Sequence, residues 1–192
     1  MSVAIIDYGA GNIQSIRFAL DRLGVSATLS SDPETIQSAS HVIFPGVGEA
    51  SSAMAKLKST HLDKLIPELT QPVLGICLGM QLMCNSSEEG NTTGLGIFDT
   101  EVIRFTTTRN VPHMGWNKVK GSGVLFDKIP NESHFYLVHS YYAKANGNTV
   151  GYCLYDINFA AAMAKNNFYG TQFHPEKSGS IGAQLLQNFL SL

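Results

Sequence analysis

Cys77 lies between two glycines in the run Gly75-Ile-Cys-Leu-Gly79, directly after a short apolar segment. Glycines two residues away on either side let the backbone turn sharply, as in the elbow that presents a nucleophile between a strand and a helix. A helix N-terminus following the cysteine would favour the thiolate. Free cysteines are usually small core residues, but the glycine bracket favours a nucleophile at Cys77.

A cysteine nucleophile needs a base, and the run Gln172-Phe-His-Pro-Glu176 offers one. His174 precedes a proline, which biases its backbone towards the extended region. Residues i and i+2 of an extended segment point to the same side, so the Glu176 carboxylate can orient the His174 ring. A lone His-Pro-Glu is typical of a surface turn. Together with the cysteine elbow, it predicts a triad of Cys77, His174 and Glu176.

The other histidines and cysteines carry weaker signals. His139 ends a strand-like run, so a place in the same cleft stays open for it. Cys84 and Cys153 are predicted to be core residues, and no spacing indicates a metal site. A structural role is the prediction for the remaining histidines, which are His41, His61, His113 and His134.

Two glycine loops follow apolar strand-like runs. Gly9-Ala-Gly-Asn-Ile-Gln14 lacks the third glycine of the dinucleotide-binding fingerprint, and we reject that interpretation. Pro45-Gly-Val-Gly48 is better read as a loop whose backbone N–H groups at Gly46, Val47 and Gly48 complete an oxyanion hole with the N–H of Leu78. The glycines would let a peptide plane turn inward.

The first half of the chain alternates strand and helix patterns, which is typical of a parallel sheet covered by helices. A helix beginning at Ile13 is predicted between Asn12 as its cap and Gly24 at its end. A second helix is predicted from Leu78 to Cys84. The predicted strands of this half are Val3 to Asp7, His41 to Pro45 and Val73 to Ile76.

The second half is rich in β-type runs, which predict antiparallel additions to the sheet, and it closes with one amphipathic helix around Ile181 to Phe189. These runs are Thr100 to Phe105, Trp116 to Val119, Phe135 to His139, Val150 to Leu154 and Phe168 to Phe173. The sequence therefore predicts an α/β, single-domain, three-layer fold over residues 1–192 with a mixed, largely parallel central sheet.

Length and composition limit the number of domains and the kinds of partner that the chain can have. The chain has 192 residues, 44% of them hydrophobic, and a formal net charge of −2. This composition fits one globular domain and provides no positive field that would draw it to nucleic acid or a membrane. The chain enters an apolar strand at once, without a signal-peptide pattern, so a cytosolic location is expected. Three cysteines without a C-x-x-C pair argue against a disulfide framework.

The motifs also resemble a known family. Gly75-Ile-Cys-Leu-Gly-Met-Gln81 and Phe173-His-Pro-Glu-Lys177 resemble the motifs of class I glutamine amidotransferases, which implies a flavodoxin-like fold, hydrolysis of glutamine and no cofactor. Four more motifs resemble a branch of free-standing glutaminases that dock on a (β/α)8-barrel synthase and pass ammonia into it. They are Asp7-Tyr-Gly-Ala-Gly-Asn12, Pro45-Gly-Val-Gly48, Pro112-His-Met-Gly-Trp-Asn117 and Val138-His-Ser-Tyr141.

The resemblance also implies roles for individual residues. The amino-acid end of glutamine would be held by Gln81, Glu89, Ser140 and Tyr141. The barrel partner would be met by the loop from Tyr8 to Asn12 and by Asn12, Trp116, Tyr136 and Lys177. From the residues alone, Gln81 could be a polar residue on an exposed helix face and Glu89 part of a solvated turn.

Two other functions remain open from the sequence. A cysteine peptidase or esterase could use the same elbow, although it would need a cleft open to an extended chain. A non-catalytic regulatory module with a relic triad is a third possibility, against which the intact Cys77, His174 and Glu176 argue. A related barrel in surface-sugar synthesis could also receive the ammonia.

Overall fold

The computed structural model describes residues 1–9 and 11–192. Ala10, which belongs to the predicted docking loop, lies outside the described residues. Thirteen strands of the described chain form one sheet. They are β1 (Val3–Ile6), β2 (Ala27–Ser30), β3 (His41–Phe44), β4 (Val73–Ile76), β5 (Cys84–Ser87), β6 (Thr92–Thr93), β7 (Phe98–Arg104), β8 (His113–Gly121), β9 (Ser133–His139), β10 (Tyr141–Ala143), β11 (Thr149–Tyr155), β12 (Ile157–Lys165) and β13 (Phe168–Thr171).

The described residues also form six α-helices, with short 3₁₀ turns between some elements. The helices are α1 (Ile13–Arg22), α2 (Pro33–Ser38), α3 (Ala50–Ser59), α4 (Leu62–Leu65), α5 (Leu78–Leu82) and α6 (Gly179–Leu190). None of them is both long and apolar enough to span a lipid bilayer.

Helices cover both faces of the sheet. Successive residues of β1 point to opposite faces, so Ala4 packs in one core with Leu57 of α3, whereas Ile5 packs in the other with Phe189 of α6. Both cores are closed to solvent, which explains why β1, β3 and β4 are continuous apolar runs rather than alternating ones. The predicted three-layer α/β fold is thus confirmed.

The sheet is mixed, as predicted, but less parallel than expected. Strands β2, β1, β3, β4 and β13 lie side by side and are parallel to one another, and β7 pairs parallel with β5. The other seven pairings are antiparallel. Turns of one and two residues join β11 to β12 and β12 to β13, and a short turn between paired strands can only connect antiparallel neighbours. "Largely parallel" therefore holds only for the part of the sheet formed by β2, β1, β3, β4 and β13.

All eight predicted strands are present, with ends that differ by no more than three residues. The predicted helix from Leu78 to Cys84 is too long, because α5 ends at Leu82 and Cys84 begins β5. The carbonyl oxygens of Leu82 and Met83 accept hydrogen bonds from the segment at 95–98, which draws the chain into the sheet. Asn12 occupies the N-cap position of α1 as predicted, but its side chain makes no capping hydrogen bond.

Candidate active site

Cys77 occupies a sharp turn between β4 and α5. Its backbone lies at φ 54° and ψ −110°, a conformation that side-chain-bearing residues rarely adopt. The flanking glycines are required by close approach: a Cβ on Gly79 would lie 2.1 Å from the Phe44 carbonyl oxygen, and one on Gly75 would lie 2.8 Å from the Met80 nitrogen. The Cys77 N–H donates to the Thr171 carbonyl (2.7 Å), which fixes the turn to β13.

His174 reaches the same place because β13 pairs directly with β4. Its ring Nδ1 lies 2.8 Å from Glu176 Oε1, and both side chains are buried. Glu176 lies in a 3₁₀ turn at Pro175–Lys177, so the two-residue reach comes from this turn and not from the extended run that the sequence predicts. The Ser178 hydroxyl donates to the His174 carbonyl (2.6 Å) and holds the turn in place.

The environment of His174 favours its charged form. Burial disfavours the imidazolium, but interactions with Cys77 and then with Glu176 outweigh it and raise the pKa of His174 to about 10. Its Nε2 is buried and has no hydrogen-bond partner among the described residues. That nitrogen is therefore available to exchange a proton with a group bound beside the thiol.

A cavity of about 240 Å³ opens above the cysteine. It brings together all four predicted substrate residues and three of the four predicted oxyanion residues. Its lining comprises Val47, Gly48, Cys77, Leu78, Gln81, Glu89, Val138, His139, Ser140, Tyr141 and His174. Gly46 does not line it; a Cβ there would lie 2.6 Å from the Gly79 nitrogen, so this glycine lets the loop pack against the elbow.

Gln81 and Glu89 are both held by bonds of their own. The Gln81 amide donates to the Tyr141 carbonyl (2.9 Å) and to Gln172 Oε1 (2.8 Å), so it is buried rather than exposed on a helix face. Glu89 Oε2 accepts from the N–H of Ala50 at the start of α3 (2.9 Å), which is more than a solvated turn would require. Burial raises the pKa of Glu89.

Three predicted docking residues form one patch beside the triad. The Trp116 ring, 57% exposed, packs edge-on against Tyr136 at 6.2 Å between centroids. Lys177 Nζ lies 5.9 Å from the same Tyr136 ring, which is itself 6.4 Å from the His174 ring. Met114, 67% exposed, lies two residues before Trp116 on β8 and adds an apolar side chain that the sequence does not single out. Asn12 lies at the start of α1, a helix that packs against the turn at Pro175–Lys177.

The sequence assigns no role to Gln172, and it gives Tyr8 a place in the docking loop but none at the cysteine. Gln172 is fully buried, and its amide nitrogen lies 3.7 Å from the Cys77 sulfur. The Tyr8 hydroxyl donates to the Pro45 carbonyl (2.8 Å) beneath the glycine loop, and burial followed by the charge of Cys77 raises the pKa of Tyr8. Their partners lie tens of residues away, so no local pattern marks them.

His139 lines the cavity, in the place that the sequence left open for it, and contacts His113 at 3.0 Å between ring nitrogens. Burial lowers the pKa of His139 to about 3 and that of His113 to about 4, so both rings are neutral at physiological pH. Cys84 and Cys153 are buried, and burial raises the pKa of each thiol to about 12. The described residues hold no cluster suited to a metal ion.

A cysteine on a strained turn, a histidine–carboxylate pair and a small cavity are the parts of a thiol hydrolase, and comparison with known proteins specifies which kind. Residues 4–192 match the glutamine amidotransferase class-I family, and the chain belongs to that family.

Several relatives are similar over their whole length. The chain is 53% identical over 196 residues to imidazole glycerol phosphate synthase subunit HisH of Bacteroides fragilis strain YCH46, in a match that covers 100% of both chains. It is 49% identical over 193 residues to the subunit HisH of Haemophilus influenzae strain ATCC 51907, in a match that covers 99% of this chain and 97% of the relative.

Two solved structures share the fold at lower identity. A crystal structure of a glutamine amidotransferase has a TM-score of 0.78 at 18% identity, and the match covers 98% of this chain and 97% of that protein. The structure of PurLQS from Thermotoga maritima has a TM-score of 0.73 at 15% identity, covering 99% and 97%. Both confirm the α/β architecture.

Proposed function

We propose that this chain is the glutaminase subunit of an imidazole glycerol phosphate synthase in histidine biosynthesis, with residues 1–192 acting as one glutaminase domain. It hydrolyses glutamine to glutamate and ammonia and delivers the ammonia to a (β/α)8-barrel synthase subunit. The observation that carries the proposal is the meeting of Cys77 and His174 at a small cavity, with Glu176 bonded to the His174 ring. The full-length identity to subunits of that name supports it.

In the first half-reaction the Cys77 thiolate attacks the carboxamide carbon of glutamine. Backbone N–H groups of the glycine loop and Leu78 are the proposed donors to the developing oxyanion. His174, charged because of Cys77 and Glu176, gives its Nε2 proton to the leaving nitrogen, and ammonia departs. The carbon–nitrogen bond is exchanged for a carbon–sulfur bond, which leaves a γ-glutamyl thioester on Cys77.

In the second half-reaction the now neutral His174 takes a proton from water, which attacks the thioester carbonyl. The carbon–sulfur bond breaks, glutamate leaves, and the thiolate–imidazolium pair is restored. Glu176 orients the ring through Nδ1 in both halves, so that Nε2 always faces the reacting atoms.

The cavity suits a single amino acid. Its volume of about 240 Å³ is below the range of about 300–1,000 Å³ typical of drug-sized ligands, and it leaves no room for an extended peptide. We assign the α-ammonium group of glutamine to the Glu89 carboxylate, and the rest of the amino-acid end to Gln81, Ser140 and Tyr141. A glutaminase is therefore favoured over a cysteine peptidase.

The barrel partner is assigned to the patch of Trp116, Tyr136 and Lys177. An exposed tryptophan packed against a tyrosine is typical of a binding hot spot, since Trp and Tyr are enriched among residues that dominate interface energies. Tyr136 also neighbours the His174 ring, so docking would occur close to the base. Asn12 and the loop from Tyr8 would extend this surface.

The proposal is tested by Cys77→Ala in the complex with its barrel synthase. Glutamate release should disappear, whereas the synthase reaction supplied with ammonium salts should continue, because the acceptor site lies on the partner. Cys153→Ala is the matched control and should leave glutamate release unchanged, since its buried thiol is not used. Glutamate release that survives in Cys77→Ala would refute the proposal, and the acceptor consumed by the synthase distinguishes histidine biosynthesis from a related pathway.

A further inference from the structure

A buried amide touches the sulfur of the nucleophile. Gln172 follows β13, two residues before the base, and its side chain is closed to solvent. Its Nε2 lies 3.7 Å from the Cys77 sulfur, within hydrogen-bonding distance for sulfur. Gln172 does not line the cavity, so it contacts the nucleophile from behind and not from the substrate side.

The direction of this amide is determined by its neighbours. The Tyr141 carbonyl can only accept, so the end of Gln81 that lies 2.9 Å from it must be its NH₂ group. That same NH₂ group lies 2.8 Å from Gln172, whose facing atom must then be the oxygen Oε1. Gln172 therefore presents its own NH₂ group to the Cys77 sulfur.

A series of hydrogen bonds continues from the Tyr141 carbonyl through His139 and His113. His139 Nδ1 lies 2.8 Å from the Tyr141 carbonyl and must be the protonated nitrogen, which leaves Nε2 as an acceptor. His113 Nδ1–H donates to that Nε2 (3.0 Å), and His113 Nε2 accepts from the Asn117 amide (3.2 Å). Every member has one tautomer or orientation, and a flip of Gln172 would set its NH₂ group against that of Gln81 unless Gln81 also gave up its bond to the Tyr141 carbonyl.

We propose that Gln172 is a further catalytic residue: its amide N–H donates a hydrogen bond to the Cys77 thiolate, and the chain from Gln81 through Tyr141 and His139 to His113 positions that donor. The proposal rests on the glutaminase function for its kinetic consequence but not for its effect on the thiol. His139 and His113 are positioning residues in this scheme, because they act through Gln172.

The bond discriminates between the two forms of the nucleophile. A neutral thiol can donate to the Val138 carbonyl, 4.0 Å away, whereas a thiolate can only accept and turns to Gln172. Hydrogen bonds to charged groups are among the stronger ones, so the amide favours the thiolate. Among the other titratable groups, His174 faces the thiol and also favours the thiolate. The remaining ones lie behind the His174 ring or around the cavity and are Glu176, Glu89, His139 and Tyr8.

The test measures alkylation of Cys77 by iodoacetamide against pH, followed by mass spectrometry of the peptide that contains it. Gln172→Met, which keeps the volume and removes the donor, should raise the apparent pKa of alkylation by about one pH unit and lower kcat for glutamine about 10-fold, with a much smaller change in KM. Gln172→Glu replaces the donor by a carboxylate and should raise that pKa further. Gln184→Met, which removes an amide of α6 that bonds to Asn188 and does not line the cavity, is the control and should change neither value.

Thermal melting identifies any variant that does not fold. If the Gln172 variants do not fold, His139→Leu provides a second test, because it keeps Gln172 and removes the hydrogen bond from His139 to the Tyr141 carbonyl. It should shift the alkylation profile in the same direction by a smaller amount. Profiles of folded Gln172 variants that superimpose on the parent would overturn the proposal. Failure of the glutaminase function would appear separately, as a parent complex that releases no glutamate while the alkylation profiles still differ.

Discussion

Replacing Cys77 by glycine should stabilise the fold relative to replacing it by alanine. At φ 54° and ψ −110° a residue with a Cβ is strained by about 1–3 kcal/mol. Cys77→Ala keeps that strain and Cys77→Gly removes it. Glycine ordinarily lowers stability by about 0.5–1 kcal/mol relative to alanine, because it loses more conformational freedom on folding. The net difference should therefore favour Cys77→Gly by about 0–2.5 kcal/mol, against the usual order.

The assay is urea unfolding of the isolated chain, with the free energy of unfolding extrapolated to water. Both variants lack the thiol, so no difference in catalysis enters the comparison. The control is Ala55→Gly, at an exposed position within α3, made in the Cys77→Ala background, where the ordinary loss of about 1 kcal/mol should appear. If Cys77→Gly were less stable than Cys77→Ala by as much as this control, the elbow would store no strain and the reasoning would be wrong.

Three further outcomes are expected. Gly79→Ala should lower the free energy of unfolding by at least about 1–3 kcal/mol in urea titrations, because its Cβ would lie 2.1 Å from a backbone oxygen, whereas Gly147→Ala, with open space around it, should be nearly neutral. The free energy of unfolding should fall as the pH drops from about 6.5 towards 4, since His113 and His139 bind protons there in the unfolded chain but not in the folded one. Urea unfolding at several pH values should give a slope of up to about 2.7 kcal/mol per pH unit, and this slope should halve in His139→Leu. Trp116→Ala should weaken binding of the barrel partner about 10-fold or more in calorimetric titration, while alkylation of the nucleophile stays unchanged; unchanged affinity would exclude Trp116 from the interface.

The turn at Cys77 and the bond between His174 and Glu176 could be predicted from the sequence because their signals are local. The elbow follows from a glycine on each side of Cys77 at the end of an apolar run, and that run is apolar because β4 is covered on both faces. The bond between His174 and Glu176 follows from a spacing of two residues, although a 3₁₀ turn achieves it and not an extended segment.

Other parts depend on tertiary context. β12 contains Ala160 to Ala162 and Ala164, residues that favour helices, and yet it is a strand because it is packed between β11 and β13, where a larger side chain would not fit opposite Gly151. The short α5 ends at Leu82 because the chain then joins the sheet as β5, although the helical pattern of the sequence continues to Cys84. Gln172 bonds to partners 91 and 95 positions away, and such pairs leave no trace in periodicity or spacing.

The position of β13 in the sheet has a consequence for biosynthesis. β13 is the last strand of the chain and yet it lies in the interior of the sheet, between β4 and β12, where it brings His174 to the same cavity as Cys77. Strands that pair across so much sequence form late, because the loop they close is long. A nascent chain that has passed Cys77 carries a thiol on an open sheet edge and lacks His174. With the proposed triad, hydrolysis of glutamine cannot begin until the chain has grown past Glu176 and inserted β13.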